Sequence, residues 1–234
     1  MTKIPTIEEM LKAGAHFGHR TSRWHPKMEP FIFGERNGVH VIDLVKGQKM
    51  LASATEFLKK LAGESKVVLL VGTKPQVKDG IKELGLATGM PYVCNKWLGG
   101  GLTNFAVIKK TIRRYQDLIK KKETGELKKY TKKEQLEFDR EIEKLELKVG
   151  GLVNLMKIPD AMFVWDIKTE ATAVNEANKK NIPVVAVCDT NSNPEKINYV
   201  IPANDDATKT IKLLLKVVEE AILEGKTEAS NKKA

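Results

Sequence analysis

Ala161-Met-Phe-Val-Trp-Asp-Ile-Lys-Thr-Glu170-Ala-Thr-Ala-Val-Asn-Glu-Ala-Asn-Lys-Lys180-Asn-Ile-Pro-Val-Val-Ala-Val-Cys188 reads as two short apolar runs flanking a longer mixed segment. Each run has strand length, and Glu170 to Lys180 is long enough for a helix. Strands that are apolar throughout and joined by a helix predict a parallel sheet covered on both faces. The alternation continues outward: Val67 to Val71, a helix from about Pro75 to Ala87 and Tyr92 to Cys94 come before it. Tyr199 to Ile201 and a last helix from about Asp206 to Leu223 come after it. Gly225 to Ala234 is polar and aperiodic, and reads as a disordered tail.

Upstream, Thr6-Ile7-Glu8-Glu9 has the spacing of a capping box and predicts a short helix to about Ala13. A basic loop is expected next. Phe31-Ile32-Phe33 and Val39 to Ile42 flank Arg36-Asn37-Gly38, a hairpin signal, since Asn-Gly suits the left-handed turn of a two-residue hairpin. Leu44, Leu51, Ala54, Leu58 and Leu61 then recur at helical spacing.

Residues 95–160 exceed what a crossover between strands needs. Within them Ile108, Ile112, Tyr115 and Ile119 step by four, three and four, and so do Phe138, Ile142, Leu145 and Val149. Two such stripes predict an antiparallel helical hairpin of coiled-coil type. Thr131-Lys132-Lys133-Glu134 offers a capping box for its second helix, and Gly150-Gly151 a stop. The expected organisation is a discontinuous sheet domain, 1–104 and 150–224, a hairpin insert, 105–149, and a tail, 225–234.

The 234 residues carry a formal charge of +10, which suits a polyanionic partner. Between Glu9 and Glu29 no acidic residue occurs, while His16, His19, Arg20, Arg23, Trp24, His25 and Lys27 do. A second acid-free stretch, Leu84 to Gln116, holds Lys96, Trp97, Lys109, Lys110, Arg113 and Arg114. Residues 105–149 hold fourteen Lys/Arg against nine Asp/Glu, with Lys128, Lys129 and Lys132 bunched near the hairpin tip. Cations contact phosphates, and aromatic rings stack on unpaired bases, so these residues with Lys74 form the expected RNA-binding set. Trp24 reads as a residue that stacks or docks at an interface. No segment has the length of a membrane span and no signal or lipidation motif opens the chain, so a cytosolic protein is expected. Cys94 and Cys188 lie in short apolar runs and read as buried thiols.

Catalysis finds little support in the motifs. Val71-Gly72-Thr73-Lys74-Pro75 lacks the glycine spacing of a phosphate loop or a dinucleotide fingerprint. Gly99-Gly100-Gly101 could cradle a phosphate through its N–H groups. The rival reading is therefore a nucleotide- or dinucleotide-dependent enzyme with Gly72, Lys74 and Gly99 to Gly101 around its ligand. No cofactor is expected. His16 and His19 could share a metal, and Asp189, Asp205 and Asp206, near strand ends, are the better candidates for a structural divalent cation. The preferred role for Asp205 or Asp206 is capping of the last helix.

Leu11-Lys-Ala-Gly-Ala-His-Phe-Gly-His19 and Trp24-His-Pro-Lys-Met-Glu-Pro-Phe-Ile-Phe-Gly-Glu-Arg-Asn-Gly-Val-His-Val-Ile-Asp-Leu44 closely resemble the N-terminal region of the bacterial small ribosomal subunit protein two family. Val71-Gly-Thr-Lys74, Lys96-Trp-Leu-Gly-Gly-Gly-Leu-Thr-Asn104, Thr131 to Glu134, Pro159 to Val164, Glu176-Ala-Asn178, Ile182-Pro183, Asp189 to Ser192 and Val200 to Asp206 follow in the same order. The resemblance runs from about Ile4 to Glu224. It implies a flavodoxin-like three-layer α/β/α domain with an inserted α-helical coiled coil. It further implies a non-enzymatic structural constituent of the 30S subunit, bound to 16S ribosomal RNA between head and body. Its implied partners are other small-subunit proteins, including the large messenger-recruiting protein one, with no membrane and no small-molecule substrate.

Overall fold

The computed structural model describes residues 2–231. Helix α1 (Ile7–Ala13) begins at Thr6 with the expected capping box, its hydroxyl accepting from Glu9 N and the Glu9 carboxylate from Thr6 N. Strand β1 (Phe17–Arg20) follows, then two short 3₁₀ turns, then β2 (Ile32–Arg36) and β3 (Val39–Ile42). Asn37 and Gly38 both have positive φ, 53° and 74°, the turn that Asn-Gly favours. The three strands form an antiparallel sheet in the order β1-β3-β2. Part of the expected basic loop is thus an edge strand, which alternation could not show because Gly18, His19 and Arg20 present no apolar face.

After α2 (Leu44–Gly63) the alternation begins: β4 (Val68–Val71), α3 (Lys78–Thr88), β5 (Tyr92–Val93), α4 (Phe105–Glu123), α5 (Lys132–Val149), β6 (Ala161–Trp165), α6 (Ala171–Lys179), β7 (Val184–Cys188), β8 (Tyr199–Pro202) and α7 (Thr208–Asn231). Their five strands form a parallel sheet in the order β5-β4-β6-β7-β8, the flavodoxin-like winding. Alternate residues feed two cores. Phe163, Trp165, Val185 and Val187 face one with α2, α3 and α7, while Met162, Val164, Val184 and Ala186 face the other with α6 and the base of the α4–α5 hairpin.

Several boundaries differ from expectation. Helix α3 starts at Lys78, because Val77 N and Lys78 N both donate to Lys74 O and make a tight turn of residues 74–77. Cys94 lies just past β5 and is half-buried, whereas Cys188 is buried in β7. Helix α7 runs to Asn231 where a disordered tail was expected from Gly225; residues 232–234 lie outside the described ones. Gly225 is buried at the crossing with α2, and a side chain there would run into Lys59 O and Ala62 Cβ. The missing side chain of Gly225 is therefore what lets α2 and α7 approach. Lys59 adds ion pairs to Glu224 at 3.2 Å and Glu228 at 2.7 Å.

Helices α4 and α5 pack on each other. Tyr130 and Phe138 meet edge to face at 5.2 Å, and Arg114 pairs with Glu141 and Lys122 with Asp139, each at 2.7 Å. Thr131 caps α5 as its sequence predicts. Among the described residues no helix is long and apolar enough to cross a membrane.

Candidate nucleic-acid interface

The N-terminal basic segment is stitched to the loop after β7. His19 N donates to Thr190 Oγ1 at 2.8 Å and His25 N to Thr190 O at 2.8 Å. Gly18 permits this approach, since a Cβ there would lie 2.6 Å from Thr190 Cγ2. Met28, from the 3₁₀ turn Pro26–Phe31, is buried in the same core as Leu102 and Ile108. The end of the first basic region and the start of α4 are therefore anchored in one core, while Met10 and Ala15 at the beginning of that region belong to the other.

Arg20 and Arg23 are exposed, and so are Lys96, Lys110, Arg113, Lys128, Lys129 and Lys132; Lys109 is half-buried. Among the described residues none of these nine enters an ion pair. Lys129 Nζ lies 5.6 Å from the Tyr130 ring. Lys27 pairs with Glu195 at 2.7 Å, as Arg114 does with Glu141, but both remain more than half exposed. Trp24 is half-buried, its ring 5.0 Å from that of His40, and His16 lies 4.0 Å from Phe17. His25 is half-buried, its Nδ1 accepting from Lys27 N.

Two members of the expected set are turned inward. Lys74, after β4, lies among Asp206 at 2.6 Å, Asp205 at 3.0 Å and Asp166 at 3.5 Å. Burial opposes its charge, but the hydrogen bond to Asp206 and the charge of Asp205 outweigh that and raise its pKa. Asp205 is fully buried, and the Lys74 ammonium 3.0 Å from its Oδ1 is the cation that compensates it. Burial and the neighbouring Asp189 and Asp166 push Asp205 up to about 7. Asn204 Oδ1 accepts from Asp206 N and Ala207 N, closing a turn just ahead of α7. His19 Nδ1 sits 3.1 Å from Asp189 Oδ1 and Nε2 3.7 Å from Asp206 Oδ2; Asp189 raises the His19 pKa against the effect of burial. His19, Asp205 and Asp206 each offer a ligand atom within 4.8 Å of the others, a spacing that a divalent cation could use.

Trp97 is the second. Its Nε1 donates to Glu176 Oε1 at 3.0 Å, and the same carboxylate accepts from Gly100 N at 2.8 Å and from Leu102 N and Thr103 N at 3.0 Å. The glycine-rich loop is thus an anion nest filled by the chain's own carboxylate. In the crevice between β4 and β6, where ligands of open α/β sheets bind, Thr73 N donates to Glu170 Oε1 at 2.8 Å. Neither Glu170 nor Glu176 belongs to the site set expected from the sequence, and only Glu176 stands in a quoted stretch, Glu176-Ala-Asn178, which carries the family resemblance and no site role. Residues 10–225 match the family model described as Ribosomal protein S2.

Proposed function

The chain belongs to the ribosomal protein S2 family, and we propose that it binds 16S ribosomal RNA at the junction of head and body of the small subunit. Membership makes it a structural protein of that subunit; the RNA contacts are our reading. The observation that carries it is the set of nine cations without an ion pair among the described residues, carried by two separate segments. In this reading Arg20, Arg23 and Lys27 act from the N-terminal arm and Lys96, Lys109, Lys110, Arg113, Arg114, Lys128, Lys129 and Lys132 from the other. His16, His19 and His25 line the first arm, Trp24 stacks, and Lys74 and Trp97 hold the scaffold.

Residues 105–149 act as a coiled-coil insert that carries cations away from the sheet domain. The absence of enzymatic activity is supported by Glu170 and Glu176, which already satisfy the N–H groups that a nucleotide phosphate would use. A groove of about 820 Å³ lined by Leu11, Phe17, Phe33, Val39 and Val41, with Phe33 80% exposed, supports docking of a protein partner. We assign that partner to protein one of the small subunit, on the cytoplasmic ribosome.

A salt titration on a 16S junction fragment and on a duplex of equal length tests the RNA reading. Each neutralised phosphate should add about 0.7 to 0.9 to the log–log slope, and the junction should bind more tightly at physiological salt. A flat salt dependence, or equal affinity for the two RNAs, refutes it.

A further inference from the structure

Five donors converge on Glu176: Trp97 Nε1 and Gly100 N on Oε1, and Leu102 N, Thr103 N and Thr103 Oγ1 on Oε2, all between 2.8 and 3.0 Å. The side chain comes from α6, and the residue is only 7% exposed. Burial alone would raise its pKa, but the donors, Trp97 first among them, hold it at about 2, so the carboxylate stays charged across the physiological range.

The clamped loop lies between Lys96 and the first turn of α4. Helix α4 has no side-chain cap of its own: Asn104 makes no capping bond, and its N–H donates to Gly100 O. Thr103, two residues before the helix, is held from outside by Glu176 through both its amide and its hydroxyl. A carboxylate from α6 therefore fixes where α4 starts and in which direction it leaves the sheet. Leverage makes this matter. Nineteen residues of α4 extend about 28 Å, so a 10° swing at the base moves the tip by about 5 Å, more than a hydrogen bond to phosphate tolerates.

We infer that Glu176 is a positioning residue for RNA recognition, its carboxylate standing in the loop as an internal counterpart of a phosphate and aiming Lys96 and the hairpin cations. The inference rests on the RNA-binding reading above. Its test uses the full chain carrying Glu176→Gln, which preserves size but turns an amide N–H₂ towards the backbone donors. Hydrogen exchange at Gly100, Leu102 and Thr103 should accelerate about tenfold or more, the scale of a charge-assisted hydrogen bond, while far-UV dichroism stays that of the parent. Affinity for the 16S junction fragment should fall at least about tenfold, and the salt slope should drop by about 0.7 to 0.9 for each phosphate the hairpin no longer reaches. A purely structural role would leave that slope unchanged at temperatures where the variant is folded.

Faster exchange with parental affinity and slope overturns the inference. If Glu176→Gln does not fold, Thr103→Val removes the hydroxyl donor alone, and an unchanged slope in that variant overturns it equally. A parent protein that shows no salt-dependent binding removes the RNA reading itself, an outcome distinct from a parent that binds and a variant that matches it.

Discussion

Replacing Lys74 with Met should destabilise the protein in a way that acid reverses. The ammonium lies 2.6, 3.0 and 3.5 Å from carboxylates of Asp206, Asp205 and Asp166, and both Asp205 and Asp166 are buried. Methionine keeps most of the side chain's length and removes the charge, leaving buried carboxylates facing one another. Removing one partner of a buried pair costs about 3 to 5 kcal/mol. At about 2 to 4 °C per kcal/mol for a chain of this size, the melting temperature should fall by roughly 6 to 20 °C at pH 8. Asp205 already stands at about 7 in the folded state, against an unfolded value near 3.8, with Lys74 pulling it down. A carboxylate whose folded pKa is raised favours folding below its unfolded value and loses that contribution as pH rises through the folded one. Without Lys74 the folded pKa climbs further, so the gap between variant and parent should be widest at pH 8 and shrink by half or more at pH 5. Thermal melts of both proteins across that range make the measurement. A shift below 2 °C, or one independent of pH, would show that the carboxylates are not held as buried charges.

The cost of replacing His19 runs the other way with pH from that of replacing Lys74, because the substitution removes the group whose protonation Asp189 favours. The raised pKa of His19 means that the contact with Asp189 contributes fully below about 6.5 and is lost as pH rises through the folded value. His19→Gln should therefore cost roughly 1 kcal/mol at pH 6 and much less at pH 9, read as the difference in urea midpoints; an equal cost at both values counts against the contact. The hairpin gives another test. Replacing residues 117–140 with a short Gly/Ser linker spares Ile108, Ile112, Tyr115 and Val149 at its base, so the sheet should stay folded while 30S occupancy falls. Unfolding by circular dichroism, or parental occupancy, would contradict the role of the hairpin as a binding arm.

The parallel sheet was legible because its strands are apolar on both faces, a pattern that polar loops cannot imitate. Val184 to Cys188 is buried at every position. Helical periods and capping boxes located α1 and α5 for the same reason: the signal is local. What could not be read was set by contacts distant in sequence. The run from Gly225 looks like a polar tail until Lys59 of α2 lies against it, and β1 is a strand only because β3 pairs with it. The site shows the same division. Acid-free stretches marked the exposed arms, but that Lys74 and Trp97 point inward depends on carboxylates 79 or more residues away for Trp97, at Glu176, and farther still for Lys74, at Asp166, Asp205 and Asp206. The place of Asp205 and Asp206 before a helix suggests a cap, whereas both carboxylates turn to Lys74, a residue far off in the chain.

The N–H nest closed by Glu176, and the Thr73 amide closed by Glu170, bear on what the stability of the fold depends on. An open nest couples folding to the concentration of whatever fills it, since a ligand bound only by the native state adds RT ln(1 + [L]/Kd) to stability. Here the filling group is covalently part of the chain and is present at the same effective concentration in every molecule. The sheet's stability is thereby uncoupled from the levels of phosphate and nucleotide around it. A chain built this way keeps the same stability whether phosphate and nucleotide are scarce or plentiful.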